Sequence, residues 1–176
     1  IAFKRAGDAI IMIGEGNGHL GQSLYVREIE GREEGSAPAV DLTAERHHGE
    51  FVRGLIESGV DTVHDISDGG LLVCLAEMSM ANGIGAEIGL STTAGPIPFL
   101  FGEDQARYVV AVPADAVDRV LDAAKDGVVP VALLGRTNGG RLAVQGHGAI
   151  EVADLKRSHE AWLPRYMNGA ELPPTN

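Results

Sequence analysis

Apolar positions fall into short unbroken runs that alternate with stretches at helical spacing. Ala9 to Ile13 is an uninterrupted apolar run behind Gly7-Asp8, the pattern of a buried strand. Gly14, Gly16, Gly18 and Gly21 then crowd a turn, and residues 22–29 predict a short helix. The charged, glycine-containing stretch 30–38 predicts an exposed loop. Asp41 or Thr43 is placed to cap a helix running to Glu57, with Phe51, Val52, Leu55 and Ile56 on one face and Ser58-Gly59 ending it. Thr62 to Asp65 reads as a short strand, and 69–81 as a helix with Leu71, Leu72, Leu75 and Met78 at helical spacing. Ala86, Ile88 and Leu90 alternate with Glu87 and Gly89, as in a half-buried strand. The two prolines of 91–98 predict a loop. Tyr108 to Val112 is the strongest strand signal, followed by a helix over 114–125 and strands over 129–134 and 142–144. Asp154 is placed to cap a last helix through Trp162.

Strands and helices alternate along most of the chain, and the final strands are weak. This predicts an α+β fold, a mixed β-sheet with packed helices. Its 176 residues suit one domain, expected over 1–167, with a polar, proline-containing tail over 168–176 expected to fray. Hydrophobic residues make up 44% of the chain, enough to build a core. The formal net charge of -11 argues against a nucleic-acid partner, which needs a basic footprint. No run of about 18 apolar residues suggests a membrane span, and no leader pattern opens the chain, so a cytoplasmic protein is expected. The start at Ile1 reads as the cut end of a longer protein. Cys74, the only cysteine, sits in an apolar helical run and reads as a small buried hydrophobe.

The sharpest candidate for chemistry is His64-Asp65-Ile66-Ser67-Asp68-Gly69-Gly70, where a strand enters a tight turn and then a helix. Glycines remove side chains where a ligand or backbone must come close. Free N–H groups of the first helical turn would form an anion site, with Ser67 adding a hydroxyl. Asp65 and Asp68 oppose a bare phosphate; they fit as helix caps, or with Mg²⁺ or ligand hydroxyls between. The bland alternative is a capped helix behind a glycine turn.

Phe101-Gly102-Glu103-Asp104-Gln105-Ala106-Arg107 is the second candidate. Glu103 and Asp104 suit metal binding or proton transfer, or local pairing with Arg107, and Gln105 suits a ligand amide or phosphate. The glycine cluster at 14–21 lacks both the phosphate-loop and the dinucleotide patterns and reads as a surface loop. His47 and His48 are adjacent and lack zinc-pair spacing, and no nucleophile elbow occurs. Trp162 either pins the last helix to the domain body or marks a contact with another domain.

The stretches His64–Leu71 with Ala76-Glu77-Met78, Leu100–Val110, Leu134–Thr137 and His159–Trp162 with Pro164 and Met167 together resemble small-type phosphoribosylformylglycinamidine synthase. That family lies within the aminoimidazole-ribonucleotide-synthetase-like superfamily, and the resemblance covers nearly the whole chain. It implies the fold of a C-terminal-type domain, the last of four such domains in the synthetase. It implies an ATP- and Mg²⁺-dependent C–N ligase that phosphorylates the amide oxygen of formylglycinamide ribonucleotide, so that ammonia displaces phosphate. It also implies, as partners, the N-terminal domains of the same polypeptide, a glutaminase subunit and a small assembly subunit. Asp65, Ser67, Asp68, Gly69 and Gly70 match the first motif, and Glu103 and Gln105 the second; all are expected to border a phosphate or ribonucleotide cleft. No catalytic residue is expected here, because the family's catalytic histidine and metal-binding acids lie in the N-terminal-type domains. The chain alone is therefore expected to be inactive and not to retain ATP or Mg²⁺. Leu20-Gly21-Gln22-Ser23 departs from the family's Leu-Gly-Gly-Ser. The alternatives are a non-catalytic or auxiliary nucleotide-binding interaction domain, or another member of the superfamily.

Overall fold

The computed structural model describes residues 1–90 and 92–169. Seven strands form one sheet among the described residues: β1 (Ala9–Ile13), β2 (Val63–Asp65), β3 (Ala86–Ile88), β4 (Tyr108–Val112), β5 (Val131–Thr137), β6 (Arg141–Val144) and β7 (Gly148–Glu151). Their order is β2-β4-β1-β5-β3-β6-β7. β3 and β6 run parallel, and every other neighbouring pair is antiparallel, so the sheet is mixed as the pattern predicts.

The helices are α1 (Leu24–Glu28), α2 (Leu42–Glu57), α3 (Gly70–Met80), α4 (Pro96–Phe101), α5 (Val117–Asp126) and α6 (Val152–Met167). They cover both faces of the sheet. Ile10, Met12 and Val109 point towards Leu71, Leu75 and Met78 of α3 and Phe99 and Leu100 of α4. Ala9, Ile11, Ile13, Val110 and Val112 point the other way, towards Val52 and Leu55 of α2 and Val120 and Ala124 of α5. Alternate side chains of one strand face opposite layers, which is why β1 has no polar position. Burying one such aliphatic side chain contributes about 1.5–3 kcal/mol.

Asp41 caps α2 by accepting the amides of Thr43 and Ala44. The structure corrects several boundaries. The predicted loop over 91–98 contains the start of α4. Pro96 and Pro98 sit in its first turn, where a helix needs no N–H from them; Ser91 lies outside the described residues. The predicted helix over 114–125 opens as a 3-10 turn at Ala114–Ala116 before α5. β5 starts and ends later than predicted, and β7 carries no predicted signal because all four residues are exposed. Glu151, not Asp154, occupies the cap position of α6, and Asp154 instead pairs with Arg157 at 2.8 Å. The helix continues past Trp162 to Met167, with Pro164 inside it. Asn168 and Gly169 close it, and the rest of the predicted tail, 170–176, lies outside the described residues.

Candidate functional site

The first candidate segment starts where β2 ends. Ile66 is buried, and its amide donates to Arg107 O at 2.9 Å, which ties the turn to the head of β4. Gly69 (φ 80) and Gly70 (φ 73) take the left-handed conformation that turns the chain into α3. A Cβ on Gly70 would lie 2.7 Å from Gly102 O and from Phe101 C, so the turn abuts the second candidate segment with no room for a side chain.

That second segment runs from α4 to β4, and its carboxylates face inward to backbone amides. Glu103 Oε1 accepts the Gly69 amide at 2.7 Å and the Leu24 amide at 2.8 Å. Asp104 is buried and accepts the Gly18 amide at 2.9 Å and the His19 amide at 3.3 Å. The Glu103 amide donates back to His19 O at 2.8 Å. The glycine cluster is thus not a plain surface loop, because Gly18 is held against the 102–104 segment. Arg107, 2% exposed, does not pair with the Asp104 carboxylate. Its Nε donates to Asp104 O at 3.0 Å and its Nη2 to Gly102 O at 2.6 Å. Burial lowers its pKa, and the Asp104 charge opposes that shift.

Ala106 has φ 59, an uncommon conformation for a residue with a Cβ. Both ends of its backbone are held by α2: its amide donates to Glu45 Oε1 at 2.9 Å, and its carbonyl accepts from His48 Nδ1 at 2.8 Å. Gln105 is thereby presented, exposed, between two depressions.

One depression is a groove of about 430 Å³, lined among others by Asp65, Ser67, Asp68, Glu103 and Gln105. Residues from two distant stretches of sequence therefore meet in one place. Gly69 and Gly70 do not line it; they are buried behind it. Two amides at that helix start are also engaged. Glu103 holds the Gly69 N–H, and the Gly70 N–H donates to Ser67 O at 3.0 Å. The sequence shows both glycines but not the carboxylate that reaches Gly69 from 34 positions away.

The other depression, about 910 Å³, shares Gln105 and Ala106 with the groove and is lined also by His19, His47 and His48. Sequence reading missed this cavity, because its walls come from α2, the 15–20 loop and Val128. Each histidine has one ring nitrogen on a backbone carbonyl: His19 on Ser36, His47 on Gly127 and His48 on Ala106, at 2.7–2.8 Å. No group of three or more histidine, cysteine or acidic side chains is placed to hold a metal ion among the described residues. Asp65 and Asp68 alone do not make a cage for Mg²⁺, which takes six oxygens, several from water or phosphate.

A mixed sheet covered by helices on both faces, with a polar groove at the β2–α3 turn, defines an α+β domain. The chain belongs to the family described as AIR synthase related protein, C-terminal domain, whose family model matches residues 5–147. It is 53% identical over 173 residues to the phosphoribosylformylglycinamidine synthase subunit PurL of a Bradyrhizobium species, covering 97% of this chain and 23% of that protein. Among solved structures it resembles Thermotoga maritima PurL complexed with FGAR (TM-score 0.73, 21% identity, 88% of this chain and 29% of that one). It also resembles the same protein complexed with ATP (TM-score 0.68, 18% identity, 88% of this chain and 26% of that one). These two structural likenesses establish the fold. No described helix is long and apolar enough to cross a membrane.

Proposed function

We propose that this chain is the C-terminal domain of the synthetase subunit that converts formylglycinamide ribonucleotide, ATP and glutamine-derived ammonia to formylglycinamidine ribonucleotide, ADP and phosphate. The observation that carries this reading is the convergence of the two family motifs, through residues 65–68 of the first and 103–107 of the second, on one polar groove. The extent of similarity to PurL supports it. The chain spans 23% of that relative's length, and the rest of the cleft would come from the other domains of the polypeptide. A glutaminase subunit and a small assembly subunit are the further partners in this reading.

Asp65, Ser67, Asp68 and Gln105 are the side chains that face a ligand here, with Glu103 completing the wall. The Ser67 hydroxyl and the Gln105 amide can donate to phosphate or carbonyl oxygens. Asp65 and Asp68 can accept from ribose hydroxyls. ATP and Mg²⁺ belong to the assembled enzyme, and Mg²⁺ would there screen phosphate from these two carboxylates. Phosphoryl activation makes the amide oxygen a leaving group, and in this reading the chain binds and orients while the reacting groups lie elsewhere.

The test is steady-state kinetics of the full-length synthetase carrying Ser67→Ala or Asp68→Ala. Each should raise KM for formylglycinamide ribonucleotide or ATP by about 10-fold, the size of one charge-assisted hydrogen bond. Unchanged KM and kcat in both variants, with assembly intact, would remove the groove from the reaction and leave a non-catalytic interaction domain.

A further inference from the structure

We infer that Glu103 is a positioning residue of the groove rather than a contact to ligand or metal; this rests on the reading of the groove as a ligand site. A single carboxylate oxygen, Oε1, accepts two backbone amides, those of Gly69 at 2.7 Å and Leu24 at 2.8 Å. Both amides stand at helix starts. Leu24 opens α1, and Gly69 is the cap position of α3.

Gly69 has no side chain to cap α3, and its own amide is buried. A buried donor without a partner costs about 1–3 kcal/mol, so the turn needs an acceptor from outside. Glu103 supplies it, and as a carboxylate it also opposes the positive end of the α3 dipole. Glu103 and its neighbour Asp104 also hold the 18–19 loop. The Glu103 amide reaches His19 O, and Asp104 accepts the Gly18 and His19 amides. Segments 18–24, 67–70 and 102–107 are thereby joined into one unit. Ser67 and Asp68 immediately precede the amide that Glu103 grips, and Gln105 follows Glu103 by two residues. The carboxylate therefore sets how far apart the two lined walls of the groove stand.

Three substitutions separate this role from direct contact. Gln at 103 keeps a carbonyl oxygen at the same reach and removes the charge. Asp keeps the charge and falls one methylene short. Ala removes both. Amide hydrogen exchange of the full-length synthetase reads the brace, and its steady-state kinetics read the consequence. Glu103→Ala should speed exchange at both Gly69 and Leu24 by about 10-fold. It should raise KM for formylglycinamide ribonucleotide about 10-fold while kcat moves less than about 3-fold. Glu103→Asp should behave like Glu103→Ala, and Glu103→Gln should recover most of both readings.

Two results overturn the assignment. If Glu103→Gln is as damaging to KM as Glu103→Ala, the charge itself meets the ligand or metal. If Glu103→Ala frees both amides yet leaves KM unchanged, the brace does not position the groove. Failure of the groove reading is seen separately, as unchanged kinetics in Ser67→Ala and Asp68→Ala with the exchange contrast at residue 103 intact.

Discussion

Cys74 illustrates how burial alone sets the behaviour of a side chain. It lies on the inner face of α3, 2% exposed, and desolvation raises its thiol pKa above the ordinary range, with Glu77 and Asp65 adding to the shift. The unfolded chain would lose this proton above about pH 8.5, while the folded chain keeps it. Stability contributed by the protonated thiol is thus fully present below that pH and is lost as the pH rises. Denaturant titrations from pH 8 to pH 10.5 should show the unfolding free energy falling by up to about 1.4 kcal/mol per pH unit more than in Cys74→Ala. Equal slopes for the two proteins would contradict the burial argument. The thiol is no nucleophile at neutral pH, in line with its apolar sequence setting.

At the scale of elements, the β2–α3 turn depends on Gly70. A side chain there must adopt φ 73 and approach Gly102 O and Phe101 to 2.7 Å. Gly70→Ala should lower stability by at least about 2 kcal/mol, measured by equilibrium unfolding. A change under about 0.5 kcal/mol would show that the turn relaxes freely. The strong elements were legible because their patterns are one-dimensional: β1 and β4 are unbroken apolar runs, and α2 carries its cap in sequence. α4 was not, because prolines that forbid a helix interior are acceptable in a first turn. β7 was not, because an exposed edge strand has no apolar alternation to read. The site was half legible. Asp65, Ser67, Asp68, Glu103 and Gln105 do meet in one groove, but that Glu103 closes the Gly69 amide is a tertiary fact. The same holds for the two-sided grip of Glu45 and His48 on Ala106.

For the whole molecule, the groove and the larger cavity beside it are open depressions that share Gln105 and Ala106, on a chain spanning 23% of the PurL relative. A second feature lies at the other end of the chain. Trp162 is 53% exposed and stacks on Tyr166 at 5.3 Å, so it does not pin α6 to the body; buried Val152 and Leu155, partly buried against the core, do that. In the proposed function the groove wall meets the substrate of the assembled enzyme. Hydrogen exchange of the full-length synthetase with and without formylglycinamide ribonucleotide and ATP tests it most directly. Peptides covering 65–70 and 103–107 should gain protection when ligands bind. Protection confined to other domains, with these two segments exchanging as in the free enzyme, would contradict it.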